Sequence, residues 1–125
     1  MGVNEGALKL LKEAERKAER AANFNLHHDS LVPIIERLVT MAMDNDRRRL
    51  DAVYILDYLA RFVQESDLRD ALKCLESTIW YVHFSEKSER WNKPIPEPVM
   101  ESLRCLEEEK NERGRPRLRR LHRSA

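Results

Sequence analysis

The stretch SDLRDALKCLESTIWYVHFSEKSERW, residues 66–91, is the longest run of the chain whose apolar residues keep one helical period without a breaker. Leu68, Ala71, Leu72, Leu75, Ile79 and Val82 recur at steps of three and four, so they share one stripe of a helix and need partners to cover them. A second stripe of Trp80, Phe84 and Trp91 lies beside the first. Together they make more than half the circumference apolar, which predicts a central helix packed by the others.

Ser66 and Asp67 stop the preceding helix and start this one. The preceding helix is predicted from Asp46, as its cap, to about Glu65, with Ala52, Ile55, Leu56, Leu59, Phe62 and Val63 facing the core. Tyr54, Asp57, Tyr58 and Arg61 fall on its flank and read as a packing rim. Its first turn is unusual. Arg47, Arg48 and Arg49 place three cations where the helix dipole disfavours each by roughly 0.3–1 kcal/mol. With free helix-start amides they form a candidate phosphate contact, balanced against a surface turn in which Asp44, Asp46 and Asp51 offset the arginines.

Earlier still, Ser30 is the expected cap of a helix with Pro33 in its first turn and a core stripe of Leu31, Ile34, Ile35, Leu38 and Ala42. The chain opens on a helical run, residues 4–24, with a narrow stripe of Ala7, Leu11, Ala14, Ala18 and Ala21. Small residues allow close approach, so residues 4–24 are a candidate contact with a protein partner or a second copy in a homodimer. On the other side of the central helix, Pro94, Pro96 and Pro98 hold an extended spacer. A last helix is expected from Glu97 or Pro98, with Val99, Leu103 and Leu106 turned to the bundle.

Composition agrees with this outline. Hydrophobic residues at 42% are too many for a disordered chain, and 3 Gly are too few for a turn-rich sheet protein. No apolar run approaches the roughly 18 residues that cross a bilayer, and the first residues lack the order of a secretory signal. An intracellular protein, cytoplasmic or nucleoid-associated, is expected. Cys74 and Cys105 both fall in predicted helices and read as small buried residues, with a disulfide between them open if those helices pack side by side.

Chemistry-bearing clusters are few. Asn25-Leu26-His27-His28-Asp29 holds two imidazoles and a carboxylate, but the Glu-x-x-His motif of ferritin-like bundles occurs nowhere in the chain. An interhelical loop is expected there, and no metal or other cofactor. Asp44-Asn45-Asp46 has Arg49 and Ile55 where a calcium loop needs Gly and Glu. His83 stands in no motif with a nucleophile and an acid, so no catalytic set is assigned and the chain is not read as an enzyme.

Charge is divided along the chain. Residues 1–112 hold 17 Lys and Arg against 22 Asp and Glu, a formal −5, whereas residues 113–125 hold six Arg and no acid. That division marks a helical domain over 1–112 and an arginine-rich interaction tail over 113–125. Within the tail, Arg113-Gly114-Arg115-Pro116 resembles the core of the AT-hook, a short DNA-binding motif appended to many unrelated proteins. Arg117, Arg119 and Arg120 continue its basic character. The resemblance covers about five residues and implies that Arg113 and Arg115 enter an A·T-rich minor groove, with Gly114 allowing close approach. Glu112 departs from the pattern, since a Pro or a basic residue is common there, and one copy is present. Narrow A·T grooves carry enhanced negative potential, which is the physical reason for Arg in them.

The expectation is therefore an all-α protein, a compact bundle of about five helices with a flexible basic C-terminal tail. Its function is expected to be association with DNA or RNA through Arg113, Gly114, Arg115, Arg117, Arg119, Arg120 and Arg47, Arg48, Arg49, the body serving assembly or partner binding. The alternative is an interaction or scaffold subunit of a larger complex that binds no nucleic acid itself.

Overall fold

A computed structural model describes residues 5–24, 28–91 and 94–104 of the 125-residue chain. The first helix, α1 (Glu5–Phe24), consists mostly of strong helix formers and buries Ala7, Leu11, Ala14, Ala18 and Ala22. The stripe closes on Ala22, with Ala21 at its edge.

The second helix, α2 (Leu31–Asp44), carries Pro33 in its first turn. Ser30 does not cap it. That residue already has helical dihedrals, φ −69° and ψ −10°, and its side chain makes no cap bond. The Val32 N–H instead closes onto the Asp29 carbonyl at 3.3 Å. Leu31, Ile35, Leu38, Val39 and Ala42 are buried, and Ile34 turns out toward solvent.

The third helix, α3 (Asp46–Phe62), follows after the single residue Asn45. Asn45, rather than Asp46, is its cap. The backbone there is extended and the carboxamide oxygen accepts the Arg48 N–H at 3.0 Å, which satisfies one free amide of the first turn. The buried face of α3 also differs from the expected one. Arg49, Ala52, Val53, Leu56 and Ala60 point inward, while Ile55 is 40% and Phe62 65% exposed. The helix is thus rotated away from its Ile55–Phe62 side, and the cause lies at Arg49, described below.

The fourth helix, α4 (Ser66–Trp91), is the longest, at 26 residues. Leu68, Ala71, Leu72, Leu75, Ile79 and Val82 are all buried, as the stripe predicts. Cys74, Thr78, His83 and Ser85 are buried as well, so α4 is covered well beyond one stripe. The Thr78 hydroxyl donates to the Cys74 carbonyl at 2.7 Å, an ordinary way for a buried threonine to satisfy its oxygen inside a helix. Cys74 is disulfide-bonded rather than a free thiol. The other cysteine of the sequence, Cys105, lies outside the described residues. After the Pro94–Pro96 spacer a short helix, α5 (Glu97–Ser102), lays Leu103 against the bundle. Leu106 and the whole of 105–125 lie outside the described residues.

The protein is all-helical, with no strand among the described residues. Four long helices carry the fold and the fifth has only six residues. Packing runs α1 on α2, α2 on α3, α3 on α4 and α4 on α1, a ring of four with consecutive helices adjacent, and α5 covers a further side of α4. The alanine stripe of α1 is used within the chain, against α4 and α2. The sequence left open whether that stripe packs within the chain or on another subunit, and Ala7, Leu11, Ala14 and Ala18 are buried within the chain. No helix among the described residues is long and apolar enough to cross a membrane.

The rotation of α3 has a direct mutational consequence. Leu56→Ala should cost about 2–5 kcal/mol in urea unfolding, because a fully buried side chain leaves a cavity, whereas Ile55→Ala should cost well under about 1.5 kcal/mol. Equal costs would mean that α3 is turned the other way.

Candidate functional site

Rotation of α3 decides which of its side chains the body exposes. Arg49 is 2% exposed and bonds on three sides. Its Nε donates to the Ala42 carbonyl at 2.8 Å, its Nη1 to Asp46 Oδ1 at 3.1 Å, and its Nη2 lies 3.1 Å from Glu86 Oε2. One guanidinium thus ties the end of α2, the start of α3 and the second half of α4. Lys87 adds a contact of 3.5 Å to Asp46 Oδ2. A cation beside the last carbonyls of α2 is also favoured by that helix's dipole.

The three arginines of this turn are therefore not brought together as a phosphate cradle. Arg49 points inward, Arg48 is exposed and lies 3.6 Å from Asp44 Oδ2, and Arg47 is exposed. The amides of Arg48 and Arg49 are bonded to the Asn45 side chain and carbonyl. The remaining candidate residues, Arg113, Gly114, Arg115, Arg117, Arg119 and Arg120, lie outside the described residues. The histidine pair is divided in the same way. His27 lies outside the described residues, and His28 Nε2 meets Glu65 Oε1 at 3.1 Å, which fastens the start of α2 to the segment after α3. Among the described residues no group of three or more His, Cys, Asp and Glu is placed to share a metal ion.

With Arg49, Ala52, Val53 and Leu56 inside, the opposite face of α3 carries Tyr54 at 80% exposure, Tyr58 at 61% and Phe62. Large apolar side chains gathered on one exposed helix face are unusual and mark contact surfaces. Tyr58 and Phe62, one turn apart, already touch, with centroids 4.8 Å apart. Arg61 bonds Asp57 along the same face at 3.0 Å. Between this face and α4 runs an open groove of about 410 Å³ lined by Val53, Tyr54, Asp57, Tyr58, Arg61, Glu76 and Trp80. Burial pushes the Glu76 carboxyl above its ordinary 4.5, and Asp57 pushes the same way. Lys73, the Trp80 indole N–H bonded to Glu76, and Arg61 pull it back.

Sequence reasoning placed Tyr54 and Tyr58 on a packing rim. Two apolar stripes run along α3, and the buried one is the stripe that carries Arg49 with its inward bonds. A comparison with protein-family models, curated proteins and solved structures gives no match.

Behind the groove, Trp80 stacks on Phe84 with centroids 5.4 Å apart and planes 21° apart, and His83 meets both rings edge-on. His83 is buried, and its Nδ1 has no hydrogen-bond partner among the described residues. Burial, then the Arg49 charge, holds this imidazole below its ordinary 6.5, with Lys87 adding to the effect and Asp46 and Glu86 opposing it. In the unfolded chain His83 binds a proton near 6.5, and in the folded chain only at lower pH. Stability is therefore full above 6.5 and falls as pH drops toward the folded value. Urea unfolding between pH 7 and pH 5 should show that fall, and His83→Leu should flatten it. An unchanged slope in the variant would show that His83 is not its source.

Proposed function

We propose that this protein is a small intracellular nucleic-acid-associated protein, whose helical body serves assembly and partner binding and whose arginine-rich tail contacts the phosphates or minor groove of DNA or RNA. The observation that carries the reading is the segregation of charge. On the body, Arg49 is spent on the interior, Arg48 lies beside Asp44 and Arg61 beside Asp57. The stretch 113–125 has six arginines and no acid of its own to offset them. Such a segment neutralises backbone phosphates and releases their counterions, and Arg113-Gly114-Arg115-Pro116 is suited to a narrow groove.

A second reading, an interaction subunit that binds no nucleic acid, is favoured by the exposed Tyr54, Tyr58 and Phe62 of α3, since aromatic side chains are enriched in protein interfaces. The two readings separate in one titration. The intact chain and a version ending at Glu112 are titrated with A·T-rich duplex, G·C-rich duplex and single-stranded RNA across a salt series. Tail binding to duplex DNA should give the intact chain a log–log salt slope of about −0.9 per phosphate neutralised, flattened by the truncation. Preference for A·T-rich duplex is the result expected of the hook. Equal binding by both versions, or by neither, would remove the tail from the function.

A further inference from the structure

The outer face of α3 has a pattern that goes beyond the nucleic-acid reading and does not rest on it. Its outermost residues follow steps of four, three, four and three: Arg47, Asp51, Tyr54, Tyr58 and Arg61. That is the spacing of a helix-pairing seam. All five are exposed, and they lie opposite the buried Arg49, Ala52, Val53 and Leu56.

We propose that this face is a homodimer interface, in which α3 packs antiparallel against α3 of a second copy of the chain about a twofold axis at the level of Leu56. A twofold interface is self-complementary, so residue i meets residue j while j meets i. In an antiparallel helix pair about a twofold axis, residues along the seam meet at positions of constant sum, and a residue beside the seam near the axis faces its own copy. With the axis at position 56, Tyr54 meets Tyr58 of the second copy, and Asp51 meets Arg61. Each pair occurs twice. The aromatic pair sits at the centre and the opposite charges flank it, an apolar middle with a polar rim. On one side of the seam Ile55 faces its own copy across the axis. On the other, Asp57 does so, and Arg61 at 3.0 Å in the same chain offsets that like-charge approach. The guanidinium of Arg61 keeps further N–H donors for Asp51 of the second copy.

Charge complementarity favours this register over one centred on Tyr54. Shifting the axis to the level of Tyr54 would set Arg47 against Arg61, two cations in place of an ion pair. Tyr54 and Tyr58 suit the centre, since each presents a large rigid surface at low conformational cost.

The test is sedimentation equilibrium of the full chain without nucleic acid, so that its failure and that of the tail reading remain separate. Wild type should be a reversible dimer at concentrations on the order of 100 µM or below. Asp51→Arg sets two arginines against each other twice per dimer, and Arg61→Asp does the same with two aspartates. Each should weaken dimerisation at least about tenfold. The combined Asp51→Arg and Arg61→Asp chain restores opposite charges and should recover affinity to within about threefold of wild type. Both positions are exposed, so the variants should fold, and far-ultraviolet circular dichroism confirms that. A wild-type monomer throughout that range overturns the proposal and leaves the face to a different protein. Failure of the combined variant to recover overturns the antiparallel register.

Discussion

A single buried cation holds the arrangement of the helices. Arg49 reaches the Ala42 carbonyl on α2, Asp46 at the start of α3 and Glu86 on α4, so three of the four long helices meet at one guanidinium. A buried charge is tolerated only when it is paired and hydrogen-bonded on most sides, and here planar fork geometry meets three acceptors. Apolar burial supplies the bulk of the stability, but it is non-directional. The guanidinium is directional. It allows α3 one rotation, in which Ala52, Val53, Leu56 and Ala60 fill the core and Tyr54, Tyr58 and Phe62 are turned away from it.

The legible part of the fold follows from this division. α4 was readable because one unbroken stripe, from Leu68 to Val82, admits a single solution, and the structure buries every member. α1 was readable to within one residue, since an alanine stripe among Lys, Glu and Arg has little alternative. α3 was not. Its apolar residues fall on two faces of similar strength, and Arg49 reads as a surface charge until Glu86, 37 positions away, is known to face it. Local signals of helix starts were similarly ambiguous. Ser30 and Asp46 are both good capping residues, but the chain already turns helical at Ser30, and Asn45 takes the extended backbone before α3. Cys74 sits in the helix as expected, and no local pattern indicates that it is bonded.

The candidate site was legible only in its chemistry. The first turn of α3 was read as either a phosphate contact or a turn in which Asp44, Asp46 and Asp51 offset the arginines, and Arg48 does lie beside Asp44 and Arg49 beside Asp46, but the inward course of Arg49 has no local signal. The stretch 113–125 holds six arginines and no acid, and the outer face of α3 carries the exposed Tyr54, Tyr58 and Phe62. If two copies pair there, two tails are carried on one rigid body, and the second contact to a long anion becomes intramolecular at a high effective concentration. Assembly and nucleic-acid association would then be coupled through geometry rather than through shared residues.

Urea unfolding of Arg49→Ala beside Arg48→Ala, two neighbouring arginines on one helix turn, asks whether the buried guanidinium sets the rotation of α3. If the buried guanidinium fixes α3, Arg49→Ala should lose about 3–5 kcal/mol, because its buried bonds to the Ala42 carbonyl, Asp46 and Glu86 are lost together, and Arg48→Ala should lose less than about 0.5 kcal/mol. Equal and small losses would contradict the account, and the rotation of α3 would then need another cause.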